Sequence, residues 1–375
     1  MPIPNTKVFL NSAVLSGGGY TLTPNAPGDL TSTLAPAPAT GWVASVGDLN
    51  GDGIADVAVG AAGDDDKAAE AGRVYVMLGD PAPGSTVGVA DGVLGQVDTW
   101  IIDGVNAGDM AGFAIAGSGD MNGNGRGELL IGAPGMARGT AADAGAVFVA
   151  FGPAVGGGLD LGDLLTSGSG EGFAIRGQSA GDMAGYSVMS VGDLNGDGRA
   201  DVLVGAPGQD AGGTDAGAAY IVWGKAGDAP VLLSNVAAGT GGFKITGASS
   251  GDAVGTTLGV SADQNGDGRA EILIGVPDYN DGAPNQGAVY VVFGKATGTG
   301  VNLNDIAAGI GGYIITGVED DDAGAAVAGV ADVNGDGLGD ILIGGAAIGP
   351  GLCRVRQGRY GGGGPCRCAG GDRRL

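Results

Sequence analysis

Five segments of the chain carry oxygen-bearing side chains at one fixed spacing. Each follows the pattern Asp-x-Asn-Gly-Asp/Asn-Gly-x-x-Asp/Glu, as residues 48–56 do. The side chains of positions 1, 3, 5 and 9, with the main-chain carbonyl of position 7, offer hard oxygen donors around one point. Glycines at positions 4 and 6 permit the positive φ angles that a tight loop needs. Hard oxygens without soft ligands predict Ca²⁺ sites, since Mg²⁺ prefers strict octahedral geometry and retained waters.

The five loops together predict about five calcium sites. The second loop has Asn124 at position 5 and so has one carboxylate fewer, and we expect it to bind calcium most weakly. An Asx-rich turn that binds no metal is the alternative for each loop, although five copies in register favour the metal sites. The candidate ligands are, loop by loop, Asp48, Asn50, Asp52, Ile54 and Asp56; Asp120, Asn122, Asn124, Arg126 and Glu128; Asp193, Asn195, Asp197, Arg199 and Asp201; Asp263, Asn265, Asp267, Arg269 and Glu271; and Asp332, Asn334, Asp336, Leu338 and Asp340.

Two other families of calcium loops are excluded by the residues that follow. An EF-hand loop needs a bidentate Glu at position 12, and nonapeptide calcium repeats recur every nine residues. Here the loops begin 69 to 73 residues apart. Position 12 is apolar in all five loops, as Val59, Ile131, Val204, Ile274 and Ile343.

The elements around the loops repeat with the same period and indicate short strands. An alternating stretch precedes each loop and an apolar run such as residues 202–205 follows it. A third run, as in residues 217–224, and a fourth that begins with an aromatic residue, as in residues 243–247, complete the unit. Four strands in about 70 residues, without helical periodicity of useful length, predict an all-β fold: a β-propeller of four-stranded antiparallel blades with five blade repeats visible.

The two ends of the chain depart from the repeat. Residues 1–40 contain two strand-like runs and a Pro/Ala/Thr-rich linker, and these runs could complete the last blade and close the ring; the alternative is a truncated ring. Residues 41–349 form the propeller with its five repeats. Residues 350–375 are basic, contain all three Cys and are predicted to be disordered, as a lost reading frame or a truncation near residue 351 would produce.

Composition excludes several classes of function. A formal net charge of −24 argues against nucleic acid and anionic membrane surfaces, because phosphate binding needs clustered Lys and Arg. The absence of His removes Ser-His-Asp triads and His-based zinc sites. No apolar run reaches the length of a membrane span, and no N-terminal signal peptide is recognisable. We expect an extracellular or cell-surface protein that uses another export signal.

Several of these residues resemble a known family. The pairs and triplets Gly112-Phe113, Gly132-Ala133-Pro134 and Gly205-Ala206-Pro207, together with the five loops, are similar to FG-GAP repeats, the blades of the integrin alpha-subunit propeller and of many bacterial surface proteins. The resemblance covers roughly residues 41–349. It implies a seven-bladed ring, Ca²⁺ in the loop between strands one and two, and a role in adhesion or ligand binding. Residues 60–62, 275–277 and 344–346 depart from the literal motif but keep its place.

The expected function is a calcium-stabilised binding or adhesion module that is not an enzyme. In an up-and-down blade the two–three and four–one loops share the face opposite the calcium loops, and we expect a protein or glycan partner there. A carboxylate-dependent hydrolase or lyase acting on glycans is the alternative. The recurring Gly-Asp-x-x-Gly segments, such as residues 108–112, are interpreted as turns, and the aromatics that open the fourth runs, such as Phe173 and Phe243, as core residues.

Overall fold

The computed structural model describes residues 8–10, 20–22, 43–79, 99–153, 157–281, 285–318, 321–333, 335, 338–345 and 366–367. Within them the chain is all-β, as predicted, with three short helices. Four successive repeats each form one antiparallel sheet in which strands one to four lie side by side in chain order. The sequence repeat is therefore a structural repeat, consistent with the blades of a β-propeller.

The strand bounds follow the predicted runs closely. The second and third strands are largely buried, and β8 has all six residues buried. In chain order the elements of the first two blades are β3 (Val43–Gly47), β4 (Asp56–Ala61), β5 (Arg73–Met77) and β6 (Thr99–Asp103), then β7 (Ala114–Gly117), β8 (Glu128–Ala133), β9 (Ala146–Phe151), β10 (Gly157–Asp160), a 3₁₀ helix (Leu161–Leu165) and β11 (Gly172–Arg176). The next two are β12 (Val188–Gly192), β13 (Asp201–Ala206), β14 (Ala218–Val222), β15 (Val231–Leu232), α1 (Leu233–Ala237) and β16 (Gly242–Thr246), then β17 (Thr257–Ser261), β18 (Glu271–Val276), β19 (Ala288–Val292), β20 (Val301–Asn302), α2 (Leu303–Ala307) and β21 (Gly312–Thr316).

Each of these blades has a fifth strand that the sequence did not predict. β10, β15 and β20 lie in the three–four connections of the second, third and fourth repeats, yet they pair in parallel with β6, β11 and β16 of the preceding blade. A short helix follows each of these strands and buries two apolar residues, such as Leu233 and Val236 of α1. The prediction of four-stranded blades is therefore incomplete, because the second, third and fourth repeats each add an outer strand to the preceding blade.

Glycine pairs hold neighbouring blades close together. A Cβ built on Gly132, the first residue of the Gly-Ala-Pro triplet, would lie 2.1 Å from the main-chain oxygen of Gly185 in the next blade. Gly60 makes the same close approach to Gly112, at 2.1 Å. Gly185 and Gly112 both have φ near +87°. The recurring glycines are thus needed for backbone-to-backbone packing, which no larger residue permits.

The first strands of successive blades are spatial neighbours, from β3 to β7, β12, β17 and the first strand of the fifth repeat, β22 (Ala326–Val330). Buried apolar clusters span adjacent blades, as when Leu129 of β8 packs in one cluster with Val76 of β5. This succession of inner strands is the arrangement in which propeller blades pack around an axis.

The fifth repeat and the chain ends contribute shorter sheets. β22 pairs antiparallel with β23 (Asp340–Gly344), and β1 (Val8–Leu10) pairs antiparallel with β2 (Tyr20–Leu22) in a separate two-stranded sheet. Completion of the last blade by β1 and β2 stays a prediction. In the tail predicted to lack structure, β24 (Cys366–Arg367) pairs in parallel with β21, in the place that β10, β15 and β20 take in the other blades. The remaining tail residues lie outside the described part of the chain.

Candidate functional site

The carboxylate at position 1 organises each Asp-rich loop. Asp48 Oδ1 accepts hydrogen bonds from the N–H groups of Gly51 at 2.6 Å and Asp52 at 3.1 Å, and its Oδ2 accepts one from Gly53 N–H at 2.8 Å. The two glycines have φ of +82° and +88°. The same three contacts recur in the second, third and fourth loops. The chain therefore wraps each loop around one carboxylate.

Positions 3 and 5 lie on the same exposed loop. Asn50 Oδ1 accepts a hydrogen bond from Asp52 N–H at 3.0 Å, and Asp52 Oδ1 accepts one from Ile54 N–H at 2.8 Å. The amide of Asn50 also donates to Asp52 Oδ2 at 2.9 Å. Corresponding main-chain contacts occur in the next three loops. Carboxylate and amide oxygens each have two lone pairs, so the Asn50 and Asp52 oxygens that accept one hydrogen bond keep a lone pair for a cation.

Position 9 has a role that the sequence interpretation missed. Asp56 is fully buried, and its Oδ2 accepts a hydrogen bond from Leu49 N–H, at position 2, at 2.7 Å. Its Oδ1 accepts one from Gly79 N–H, just after β5, at 2.7 Å. The carboxylate thus fastens the loop to the end of the third strand. The contact from position 9 to the position 2 N–H is present in all five loops.

The two loops with Glu at position 9 leave a buried oxygen without a partner. Glu128 Oε2 accepts a hydrogen bond from Met121 N–H at 2.5 Å, and Glu271 Oε2 accepts one from Gln264 N–H at 2.9 Å. Within the described residues, Oε1 of each Glu is buried and has no hydrogen-bond partner. Burial raises the pKa of both carboxyl groups to about 7. Such an oxygen is one that a bound cation or a proton would satisfy.

Position 7 contributes its side chain to the neighbouring blade. Arg269 Nε donates to the main-chain oxygen of Leu194, in the preceding loop, at 3.1 Å. A Cβ on Gly51 would lie 3.0 Å from Nε of Arg126, which therefore packs against the first loop. These arginines join consecutive loops, a contact that spacing along the sequence does not reveal.

The fifth loop is described in part. Asp332 Oδ1 accepts a hydrogen bond from Gly335 N–H at 2.6 Å, and Asp340 Oδ2 accepts one from Val333 N–H at 2.8 Å. Both contacts match those of the complete loops. The predicted ligands Asn334 and Asp336 lie outside the described residues.

The oxygen donors of each loop suit a hard cation, but within the described residues they do not surround one point as a closed coordination site. In the described part of the chain, no group of three or more His, Cys, Asp or Glu side chains meets as a metal cluster. The structure brings positions 1, 3 and 5 together on the exposed loop and sets position 9 beneath it, on main-chain N–H groups. Carboxylate, amide and main-chain oxygens are the donors that Ca²⁺ prefers, so the residues fit that ion in chemistry. The unpaired Glu128 and Glu271 oxygens are consistent with the same ion.

The Gly-Asp segments between blades are turns, as predicted. In each, the Asp Oδ2 accepts a hydrogen bond from the N–H three residues earlier, as Asp109 does from Asn106 at 2.9 Å and Asp182 from Ser179 at 2.8 Å. Asp252 and Asp321 repeat the contact. These carboxylates shape the four–one loops.

Replacing Asp109 with Ala tests this turn. We expect the free energy of unfolding to fall by about 1 kcal/mol, since the main-chain N–H of Asn106 loses its acceptor. Urea unfolding measures the change. Asp163→Ala, at an exposed residue of the 3₁₀ helix, is the control and should stay within about 0.5 kcal/mol of the parent. Equal effects of the two substitutions would contradict the turn's role.

The face opposite the loops carries different chemistry in different blades. In the first blade Arg73 pairs with Asp66 and Asp103, and Tyr75 Oη donates to the buried Asp64 at 3.0 Å. The desolvation of Asp64 raises the pKa of its carboxyl group. The two–three loop of this blade is therefore held by a charged network.

The third blade has a buried lysine at the corresponding level. Lys244 is 7% exposed and donates to Gln209 Oε1 at 2.6 Å. Its ammonium lies 5.6 Å from the centre of the Tyr220 ring, and burial lowers its pKa to about 8. The first and fourth blades have Ile101 and Ile314 at this position. A lysine where these two blades have isoleucine is visible in the sequence, but the sequence interpretation did not single it out.

The aromatic residues that open the fourth strands are core residues, as predicted: Trp100, Phe173, Phe243 and Tyr313 are all buried.

Comparison with known proteins places the repeat in a family. The family model described as FG-GAP repeat matches residues 40–77, 184–222 and 254–292. Each match contains the first three strands of a blade and the loop between strands one and two. No curated protein matches the chain significantly. No helix in the described part of the chain has the length and apolar character needed to cross a membrane.

Proposed function

This chain is an FG-GAP repeat protein resembling the integrin alpha propeller, and on that premise we propose that it is an extracellular, calcium-stabilised β-propeller module for adhesion or ligand binding. The observation that supports calcium most strongly is the repeated geometry of positions 1, 3 and 5. In four loops the same hydrogen bonds hold these oxygens on one short, exposed, glycine-containing turn.

Calcium would bind to the side chains of positions 1, 3 and 5, and to the oxygens of Glu128 and Glu271 that have no protein partner. When bound, the ion supplies positive charge to loops that otherwise hold two or three carboxylates each. The chain has a formal net charge of −24, so neutralising the loops reduces repulsion within every hairpin. Its role is therefore structural.

A binding role is proposed in preference to catalysis. The loop carboxyl groups with a strongly raised pKa, Glu128, Asp201 and Glu271, already accept hydrogen bonds from loop N–H groups. The partner face is the opposite one, where the scaffold repeats but the two–three loops differ between Asp64, Gln209 and Tyr279. A protein or glycan partner fits such a varied surface on a constant frame.

The second loop offers a direct test of the metal assignment. Asn124→Asp adds the carboxylate that the other loops have at position 5, and we expect it to tighten calcium binding at that loop about tenfold. Asp197→Asn in the third loop is the reverse change and should weaken binding by a similar factor. Isothermal titration calorimetry of the full chain measures both. Unchanged affinities in both variants would argue against metal at position 5.

A further inference from the structure

A cleft lies beside the third loop, on the calcium-loop side of the third blade. It has a volume of about 290 Å³, close to the ~300 Å³ at which small-molecule pockets begin. Trp223 and Gly224, which follow β14, form one side, and the three–four connection with α1 forms the other. Asp197, at position 5 of the loop, is part of the lining. Asp201 of the same loop fixes Gly224 through a hydrogen bond of 2.9 Å.

The lining joins an aromatic side chain with neutral hydrogen-bonding groups. Trp223, Pro230 and the connecting strand give an apolar surface, and Asn235 and Thr240 are exposed beside it. The indole Nε1–H of Trp223 is buried without a hydrogen-bond partner in the described residues. A ligand in the cleft would meet the apolar surface and the two neutral polar side chains.

The charges at the cleft disfavour anionic and cationic ligands. The ammonium of Lys225 donates to the main-chain oxygens of Gly227 at 2.7 Å and Ala229 at 2.6 Å, and it lies 4.0 Å from the centre of the Phe173 ring. This cation is therefore already engaged, and Asp197 repels an anion. A cationic ligand would be repelled by the Lys225 ammonium. We therefore expect the ligand to be neutral.

The fourth blade provides an internal comparison, because its three–four connection has the same length. Lys295 is held in the same way, over the Phe243 ring and on a loop carbonyl. At the positions of Trp223, Asn235 and Thr240 this blade has Phe293, Asp305 and Ile310, and Ile310 is 65% exposed. The frame is shared, whereas the neutral hydrogen-bonding groups belong to the third blade.

We propose that this cleft binds one neutral, hydroxyl-rich ring: a sugar residue, such as the terminal unit of a glycan. The flat indole gives the ring a stacking surface, while Asn235 and Thr240 offer donors and acceptors to its hydroxyl groups. This site is distinct from the partner face proposed above and does not depend on calcium in the neighbouring loop.

The test uses ¹⁵N-labelled full-length protein and a panel of methyl glycosides. The Trp223 indole signal is assigned by its absence in Trp223→Phe, which carries the residue of the fourth blade. We expect at least one methyl glycoside to shift this signal with millimolar affinity, in EDTA as well as in calcium. Asn235→Asp and Thr240→Ile should each weaken binding at least about fivefold, and Asp305→Asn should leave it unchanged.

Three outcomes would overturn the proposal: no glycoside shifts the Trp223 signal; tetramethylammonium or glycerol shifts it as strongly as any sugar; or the Asn235 and Thr240 variants bind like the parent. If a sugar binds but calorimetry detects no heat of calcium binding, the calcium proposal is wrong and the sugar-site proposal stands. If calcium binds but no sugar shifts the Trp223 signal, the sugar-site proposal is wrong and the calcium proposal stands.

Discussion

Replacing Asp201 with Ala is expected to lower the free energy of unfolding by about 3 kcal/mol, measured in EDTA. The carboxylate is fully buried and accepts hydrogen bonds from three main-chain N–H groups: Leu194 at 2.9 Å, Asn195 at 3.2 Å and Gly224 at 2.9 Å. Its removal leaves the buried N–H groups of Leu194 and Gly224 without an acceptor and frees the loop from the end of β14. Urea unfolding followed by circular dichroism measures the loss.

The control for Asp201 lies in the same loop. Asp197 is exposed and accepts hydrogen bonds from Arg199 N–H at 2.9 Å and the Asn195 amide at 3.1 Å. Asp197→Ala should cost about 1 kcal/mol or less in EDTA, because water can replace these contacts. If the two variants lose the same stability without metal, the position 9 carboxylate does not fasten the loop to the third strand as the structure indicates.

Replacing Lys244 with Met is expected to stabilise the protein at pH 7 by on the order of 2 kcal/mol. The ammonium is buried on β16 with Gln209 Oε1 as its hydrogen-bond acceptor, and no carboxylate lies within ion-pair distance in the described residues. Methionine keeps the length of the side chain without the charge. Gln209 Oε1 retains a second donor, Ala211 N–H, at 3.0 Å.

The pH dependence of stability provides the second measurement for Lys244. Its folded-state pKa of about 8 lies below the ordinary value of 10.5, so the unfolded chain binds more protons between these values. The stability of the parent should therefore rise as the pH increases from about 8 towards 10.5, relative to Lys244→Met. Around the lysine, Asp182 favours its charge, and Tyr220 has a raised pKa and remains neutral over the same range.

The difference between variant and parent isolates Lys244 from other lysines with lowered pKa values, Lys225 and Lys295. Lys225→Met serves as the matched control. Because the Lys225 ammonium donates to two main-chain oxygens, its removal should not stabilise the protein. A Lys244→Met variant that is less stable than the parent at pH 7 would show that the ammonium has a favourable interaction.

The fold was predictable where the signal is local and repeated. Apolar runs bounded by glycine, such as residues 202–205, identify strands because alternation and turns are encoded within a few residues. β15 and β20 were not predicted, since two residues carry no strand pattern and acquire their conformation by pairing with the preceding blade. The same holds for the glycine contacts, which require knowledge of the neighbouring blade.

The positions of the candidate loops were predictable from the sequence, but the roles of the individual residues within them were not. Asp56 has the residue type of a calcium ligand, and the same carboxylate can equally accept main-chain N–H groups, so sequence alone does not separate the two roles. Arg269 was assigned through its carbonyl, whereas its side chain contacts the preceding loop. Lys244 and Trp223 differ from their equivalents in other blades, and aligning the repeats strand by strand reveals both.

The central claim is that calcium stabilises the Asp-rich loops, and a thermal melt of the full chain in EDTA and in millimolar calcium tests it most directly. With calorimetric stoichiometry alongside, the account predicts a large calcium-dependent rise in the melting temperature and about four or five bound ions, as the five loops imply. An unchanged melting temperature and no heat of calcium binding would contradict it and leave the loops as Asx-rich turns.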